Sequence, residues 1–380
     1  MSTPIPQRVD QYIEKHYGRY LEETMTLAKI PAPSNHEERR AAWCKNYLES
    51  FGAKGVYIDE PLNVVYPYEC EGKDEVVAFL GHMDVVFPDT DELPLRVEDG
   101  KIHCPGIGDN TVSCMAVLTM ARMVTEMKLK PRQGILFVAN SGEEGLGNLK
   151  GVRKIVEDYR GCLKELTAID GGSYQGICND AVGSKRYRVE LKTEGGHSYA
   201  AFGNRNAIYY LSKMVNALYG MKVPPMGKTT YNVGTIKGGT SVNTIAQEAE
   251  MLYEFRSNKR EALGIMDGMF QSVVEAFRAM ELEVNVELVG DRPCKGEVDD
   301  AALVEKAMAI GKSFGFDMRL RAGSTDCNIP LSMGIPSICI GMYVGAGGHT
   351  REEYVQMDSM RLGLKYLAAH VLSYMEEQNI

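Results

Sequence analysis

No stretch of the sequence approaches the roughly 18–20 consecutive apolar residues of a membrane-spanning helix. Its first ten residues, Met1 to Asp10, contain no apolar core of signal-peptide length. Both absences lead us to expect a soluble, cytoplasmic protein with no membrane partner. There is no block of Lys or Arg, and the formal net charge is −9, which argues against a nucleic-acid partner. The nine cysteines include no C-x-x-C pair, which argues against a structural zinc knot and a dithiol redox motif. Their odd number and wide spacing fit reduced thiols. A nicotinamide-dependent dehydrogenase would need G-x-G-x-x-G after a strand. Here Gly106-Ile107-Gly108 lacks the third glycine and runs straight into Asp109. A serine hydrolase of the nucleophile-elbow kind would show G-x-S-x-G, which is also missing.

What remains is a globular composition, 44% hydrophobic and 24% charged, in 380 residues, enough for two domains. Apolar periodicity predicts helices over 9–29 and from Ser34 or Asn35 to Gly52, the first stopped by Pro31 and Pro33. Strands are expected over 56–58, 63–67 and 76–80. Beyond them helices (111–127, 149–159) alternate with strands (134–139, 166–169). That alternation predicts an α/β fold with a mostly parallel, helix-covered sheet. From 187 to 289 the order becomes βαββαβ, a ferredoxin-like unit complete in itself. We therefore expect a catalytic domain from 1–183 and 294–380, with a lid and dimerisation domain inserted at 184–293. After Pro293 the α/β pattern resumes, with a helix over 301–314, a strand over 337–340 and a last helix over 359–376.

The informative residues lie just after expected strands or in turns that open helices. His82 and Asp84 close the run 76–80. A His and an Asp two apart on extended backbone point to the same side, so the imidazole would reach a metal with the carboxylate behind it. Asp109 sits in Gly106-Ile107-Gly108-Asp109-Asn110, Glu143 and Glu144 follow 134–140, and Asp170 follows 166–169. His349 lies in a Gly-rich loop beyond 337–343. In open α/β sheets ligands bind outside the carboxyl ends of the strands, so these groups would converge. Two His and several carboxylates, without Cys, suit zinc, manganese or cobalt. They suffice for two metal ions sharing a carboxylate. Each residue also has an ordinary reading: Glu143 and Glu144 as acids of a helix N-terminus, Asp109 as an N-cap, Asp170 as a turn acid, Arg256 as a surface ion-pair residue, and Gly195-Gly196-His197 as a turn.

The order H-x-D … D … E-E … D … H resembles the co-catalytic zinc peptidase and deacylase family that includes peptidase T, carboxypeptidase G, succinyl-diaminopimelate desuccinylase and acetylornithine deacetylase. The resemblance spans nearly the whole chain. It rests on Gly81-His82-Met83-Asp84, Gly108-Asp109, Ser141-Gly142-Glu143-Glu144-Gly145, Asp170-Gly171-Gly172, Gly195-Gly196-His197-Ser198, Ser241-Val242-Asn243-Thr244-Ile245, Phe255-Arg256-Ser257 and Gly348-His349-Thr350 with Glu352 or Glu353. It implies that His82, Asp109 and Asp170 hold one metal, and that Asp109, Glu144 and His349 hold the other. Asp84 would orient His82, and Glu143 would be the general base. His197 would serve the oxyanion, and Asn243 and Arg256 would bind substrate, with His197 and Asn243 supplied in dimeric relatives by the partner subunit. Gly323, Ser324 and Thr325 look like the family's substrate-side loop. Relatives with Gly-Arg-Gly and a Lys near the bridging Asp differ from Cys104-Pro105-Gly106-Ile107-Gly108 here, which is more similar to the peptidase T side. The implied activity is hydrolysis of a small peptide by a two-zinc homodimer (manganese or cobalt being alternatives). An N-acyl amino acid deacylase and an inactive ligand-binding homologue remain the other readings.

Overall fold

The computed structural model describes residues 4–377. The chain divides into two compact units, one built from Met1–Ala181 with Gly296–Ile380, the other from Val182–Lys295. Among the described residues no helix is long and apolar enough to cross a membrane.

The larger unit is a mixed α/β structure around an eight-stranded, mostly parallel sheet. Its strands lie in the order Tyr57–Ile58, Val64–Tyr68, Gly134–Asn140, Val76–His82, Leu163–Ile169, Ser337–Ile340, Gly176–Ala181, Arg319–Gly323. Val76–His82 is the central member, parallel to both neighbours, and every one of its residues is buried. Burial on both faces is why the segment reads as a continuous apolar run with no polar alternation. The period of two is still present in the packing. Val77 and Phe79 join one core with Ile135 and Phe137, whereas Val76, Ala78 and Leu80 join another with Leu136 and Val138.

The helix Gln7–Lys29 adds Val9, Ile13, Tyr17, Tyr20 and Leu27 to the first core at helical spacing. Helix Val112–Glu126 packs beside it and is buried over almost its whole length. This helix presses so closely on the central strand that a Cβ at Gly81 would meet Cys114 Cα and N at 2.8 Å. The second helix begins at Glu38, not at Ser34 or Asn35 as the sequence suggests. Ser34 makes no cap, because its hydroxyl is committed to Asp84, 50 residues away. Strands Gly176–Ala181 and Arg319–Gly323, at one edge of the sheet, are additions to the expected set.

The smaller unit is a four-stranded antiparallel sheet in the order Thr229–Gly238, Glu248–Ser257, Gly183–Lys192, Glu283–Arg292, with helices Ala207–Tyr219 and Arg260–Arg278. Strand Glu248–Ser257 alternates cleanly. Ala249, Met251, Tyr253 and Phe255 enter the core that the helices share. Glu250, Glu254 and Arg256 on its other face make ion pairs.

Candidate metal centre

The strand order brings the predicted residues of the larger unit together. Val76–His82 lies between Gly134–Asn140 and Leu163–Ile169 with all three parallel, so their carboxyl ends are adjacent. His82 pairs in register with Asn140, and the backbone then turns to deliver Glu143 and Glu144. Asp170 directly follows the third strand, its N–H bonded to Ile340 O at 3.0 Å.

Asp109 is the geometric centre. Its Oδ1 is 3.2 Å from His82 Nε2, and its Oδ2 is 3.1 Å from His349 Nε2. His349 Nε2 is also 3.1 Å from Glu144 Oε1, and His82 Nε2 is 3.9 Å from Asp170 Oδ1. The side chains form three groups whose donor atoms lie within 4.8 Å of one another: His82, Asp109 and Asp170; Asp109, Glu144 and His349; and His82, Glu143 and Glu144. Asp109 is common to the first two, with one carboxylate oxygen turned to each histidine.

Several buried groups support these side chains, Asp84 among them as its spacing from His82 suggests, whereas Arg40, Asn110 and Asn140 carry no signal in the sequence beyond their residue type. Asp84 is fully buried and accepts from Ser34 Oγ (2.7 Å), from the Glu143 N–H (3.0 Å) and from the Glu144 N–H (2.9 Å). His82 Nδ1 lies 3.1 Å from the Asp84 carbonyl and 3.4 Å from its carboxylate. Asp84 therefore reaches two of the candidate segments at once. Glu353, also buried, accepts the N–H groups of Gly106 (2.6 Å), Gly108 (3.0 Å) and Asp109 (2.8 Å). Arg40 is buried as well, donating to Met83 O (2.7 Å), Thr111 Oγ1 (3.1 Å) and Ile30 O (2.7 Å). Asn140 Nδ2 donates to Asp326 Oδ2 at 2.6 Å. Asn110 Nδ2 donates to Ile169 O at 2.7 Å, across a cis Asp109–Asn110 peptide.

The electrostatics are those of acids buried close together. Burial, then the neighbouring Asp109 charge, push Asp170 up to about 7. Hydrogen bonds to Asp109 and Glu144 raise His349 to about 10. Burial works against ionisation of Asp109, but its hydrogen bonds with His349 and His82 hold it below the usual carboxylate range. The ion-pair partners of Asp109, Glu144 and Asp170 are histidines alone among the described residues. This donor set fits two borderline divalent cations. It has imidazole nitrogens and carboxylates, no thiolate, and one carboxylate facing both positions.

In the smaller unit, His197 and Asn243 are neighbours. Gly196–His197 pairs with Thr244–Ile245, and the Ser198 N–H donates to Asn243 O at 3.0 Å. His197 Nδ1 accepts the N–H groups of Tyr199 (3.2 Å) and Ala200 (3.3 Å), which leaves its proton on the exposed Nε2. Asn243 Oδ1 accepts from Ser241 Oγ at 2.9 Å. Arg256 lies elsewhere on this unit. It grips Glu254 with two bonds, Nε at 2.9 Å and Nη2 at 3.1 Å, as its ordinary reading as an ion-pair residue expects. In the larger unit, Gly323 ends a strand and Thr325 Oγ1 accepts the Cys327 N–H at 3.2 Å, opening the short helix Asn328–Ser332.

Comparison with known proteins agrees with this architecture. The chain is 25% identical over 375 residues to the protein YqjE of Bacillus subtilis (strain 168), covering 90% of this chain and 94% of YqjE. A tripeptidase from Staphylococcus aureus subsp. aureus Mu50 shares the fold with a TM-score of 0.72 at 23% identity, over 93% of this chain and 97% of that one. The dipeptidase Dug1p from Saccharomyces cerevisiae does so with a TM-score of 0.79 at 14% identity, over 96% and 98%. The family profile described as "Peptidase family M20/M25/M40" matches residues 78–373, from inside the central strand to the last helix. The chain therefore belongs to peptidase family M20/M25/M40 and is a hydrolase of the metallopeptidase and amidohydrolase kind.

Proposed function

We propose that this protein is a two-metal exopeptidase that hydrolyses an amide bond of a small peptide, a di- or tripeptide, inside the cell. The observation that carries the reading is Asp109, with its two carboxylate oxygens 3.2 and 3.1 Å from His82 and His349. His82, Asp109 and Asp170 would hold one cation, and Asp109, Glu144 and His349 the other, with zinc the best fit and manganese or cobalt alternatives. Bound there, the metals supply Lewis acidity and lower the pKa of water.

The chain's own groups do the rest. Glu143, buried and next to Glu144, takes the proton of the attacking water and returns it to the leaving amine. Asp84 holds the Glu143 and Glu144 backbone in place while backing His82. His197, its proton on Nε2, donates to the oxyanion, and the Asn243 amide binds the substrate beside it. Arg256 takes the substrate carboxylate, exchanging Glu254 for it. Gly323, Ser324 and Thr325 flank the substrate.

The enzyme acts as a homodimer through the unit Val182–Lys295. In support, Thr229–Gly238 is an exposed edge strand, and Ile208, Tyr209, Tyr219 and Ile236 are exposed on that unit. The intracellular assignment rests on nine free cysteines.

The test is a hydrolysis screen of di- and tripeptides against N-acetyl and N-succinyl amino acids, with zinc, manganese and cobalt. Peptide cleavage with about two metal equivalents supports the reading. Cleavage of the acyl amino acids alone makes the protein a deacylase. No turnover and no metal uptake make it a binding protein. For the dimer, mixing Glu143→Ala and His197→Ala variants should restore activity if His197 serves the partner's site. Sedimentation as a fully active monomer ends that idea.

A further inference from the structure

A cavity of about 720 Å³ opens directly beside the acid cluster. Its lining includes Asp109 of that cluster, with Gly171 and Gly348. Four aromatic rings, Tyr174, Phe316, Tyr343 and Tyr354, also line it. Tyr174 and Phe316 stack with ring centroids 4.9 Å apart and planes 13° from parallel. The Tyr174 hydroxyl is turned away to Ser359 O at 2.6 Å, so the ring is held firmly while its polar tip is occupied. The Tyr343 ring also lines the cavity and is enclosed by glycine. A Cβ at Gly172 would come within 3.2 Å of it, and one at Gly345 within 3.0 Å. Two glycines at these places keep the cavity roomy and let backbone approach an aromatic ring.

Its charge pattern is one-sided. The only ionisable acids on the lining are Asp109 and Glu353, and Glu353 is already held by three backbone N–H groups. No Lys or Arg lines it. The cations around it stand behind the lining: Arg321 Nη2 lies 3.8 Å from where a Cβ on Gly171 would be, Lys101 Nζ sits 4.6 Å from the Tyr354 ring centroid, and His349 is bonded to Asp109. A pocket of this size and lining suits a neutral apolar or aromatic side chain and has no ready partner for a carboxylate.

Which side of the scissile bond it serves follows from what is missing from the lining. Under the peptidase reading, on which this inference rests, the leaving nitrogen must reach Glu143. Glu143 does not line the cavity, whereas Asp109, which faces both metal positions, does. We infer that this cavity is the subsite for the side chain of the residue whose carbonyl is attacked, and that it selects peptides beginning with a large apolar or aromatic residue, Phe316 being the residue that sets the preference.

The expected discrimination is that of filling an apolar pocket, roughly 10- to 200-fold in kcat/KM. The experiment measures Phe-Gly-Gly, Leu-Gly-Gly, Gly-Gly-Gly and Asp-Gly-Gly on the zinc-loaded full-length enzyme and on Phe316→Asp and Phe316→Ala. In parallel, calorimetry titrates phenylalanine hydroxamate and glycine hydroxamate into the same proteins without relying on turnover. Phe- and Leu-first peptides should exceed Gly-first by at least about 10-fold. Phenylalanine hydroxamate should bind correspondingly tighter, and both differences should collapse in the Phe316 variants. Should Phe316→Asp fail to fold, Phe316→Ala carries the comparison. Cleavage of all peptides alike, a preference for Asp-first that would implicate Arg321, or a preference untouched by both variants overturns the subsite while leaving the peptidase reading standing. Hydroxamate preference without peptide cleavage overturns the peptidase reading and with it the assignment to a peptide's first residue, leaving only an apolar binding site. Neither preference nor cleavage removes both.

Discussion

Glu353 Oε1 accepts the backbone N–H of Asp109 at 2.8 Å, so the residue that faces both histidines is held from its own main chain by a second buried acid. The same carboxylate takes the N–H groups of Gly108 and Gly106, and a Cβ at Gly108 would lie 2.8 Å from Glu353 Oε1. The turn around Asp109 is thus shaped by an acceptor more than 240 residues away.

Glu353→Ala leaves three backbone donors without their acceptor, each costing about 1–3 kcal/mol if water does not replace it. In a domain of this size each kcal/mol lowers Tm by about 2–4 °C. Glu353→Gln keeps a carbonyl oxygen for part of the set and should fall between wild type and Ala. Thermal melts with metal stoichiometry check this. An Ala variant that melts and loads metal like wild type would show that Asp109 needs no such support.

Glu143 and Glu144 should separate cleanly. Glu143→Gln should lower turnover by about 100- to 10,000-fold, the usual worth of a general base, with metal content unchanged. Glu144→Gln should instead lose metal, since its Oε1 is 3.1 Å from His349. Metal analysis beside kcat decides. Equal metal loss in both variants would refute the division of roles.

The metal-free protein should become less stable as pH rises. Asp170 and Glu353 are both raised to about 7 by burial, and His349 to about 10 by its bonds to Asp109 and Glu144. A group whose folded pKa is raised contributes most below its unfolded value and loses that contribution as pH climbs through the folded one. The window runs from about 4 to 7 for the two acids and from about 6.5 to 10 for His349. Asp109, held low, works the other way and only below the ordinary carboxylate range. Because ligands must lose protons, metal binding should tighten over the same rise in pH and release protons. Chemical denaturation of chelated protein at pH 6 and pH 9 tests the first point, and calorimetry in two buffers of different ionisation heat tests the second.

Gly81→Ala places a methyl group 2.8 Å from Cys114 backbone atoms, where nothing flexible can yield. Overpacking of this kind costs about 1–3 kcal/mol. Because the strain falls one residue before His82, metal affinity should drop further than Gly81's distance from any ligand group suggests. A variant with wild-type metal affinity would show that the strand absorbs the shift elsewhere.

The central strand was legible because it is buried on both faces and ends in His and Asp; Asp170 was legible because it follows the neighbouring apolar run. Strands Gly176–Ala181 and Arg319–Gly323 were not: Gly-Ile-Cys-Asn-Asp-Ala shows neither an apolar run nor clean alternation, and Arg-Leu-Arg-Ala-Gly, though it alternates, is five residues long and almost wholly exposed. Ser34 looked like a helix cap because its hydroxyl has no local rival for that job; its true partner, Asp84, is visible only once the chain has folded. The sequence places Glu352 and Glu353 side by side after His349, and nothing local distinguishes them. Burial of Glu353 against the Gly106–Asp109 turn does.

Val76–His82 is a wall shared by two separate cores, with alternate residues facing each. A void opened on either side, by Phe79→Ala or by Leu80→Ala, is therefore felt by the same few backbone atoms that aim His82. In a random-mutagenesis library scored for activity at sub-unfolding temperature, damaging changes should cluster on both flanks of this strand. The residues most sensitive to drift would then be greasy ones that never touch the substrate.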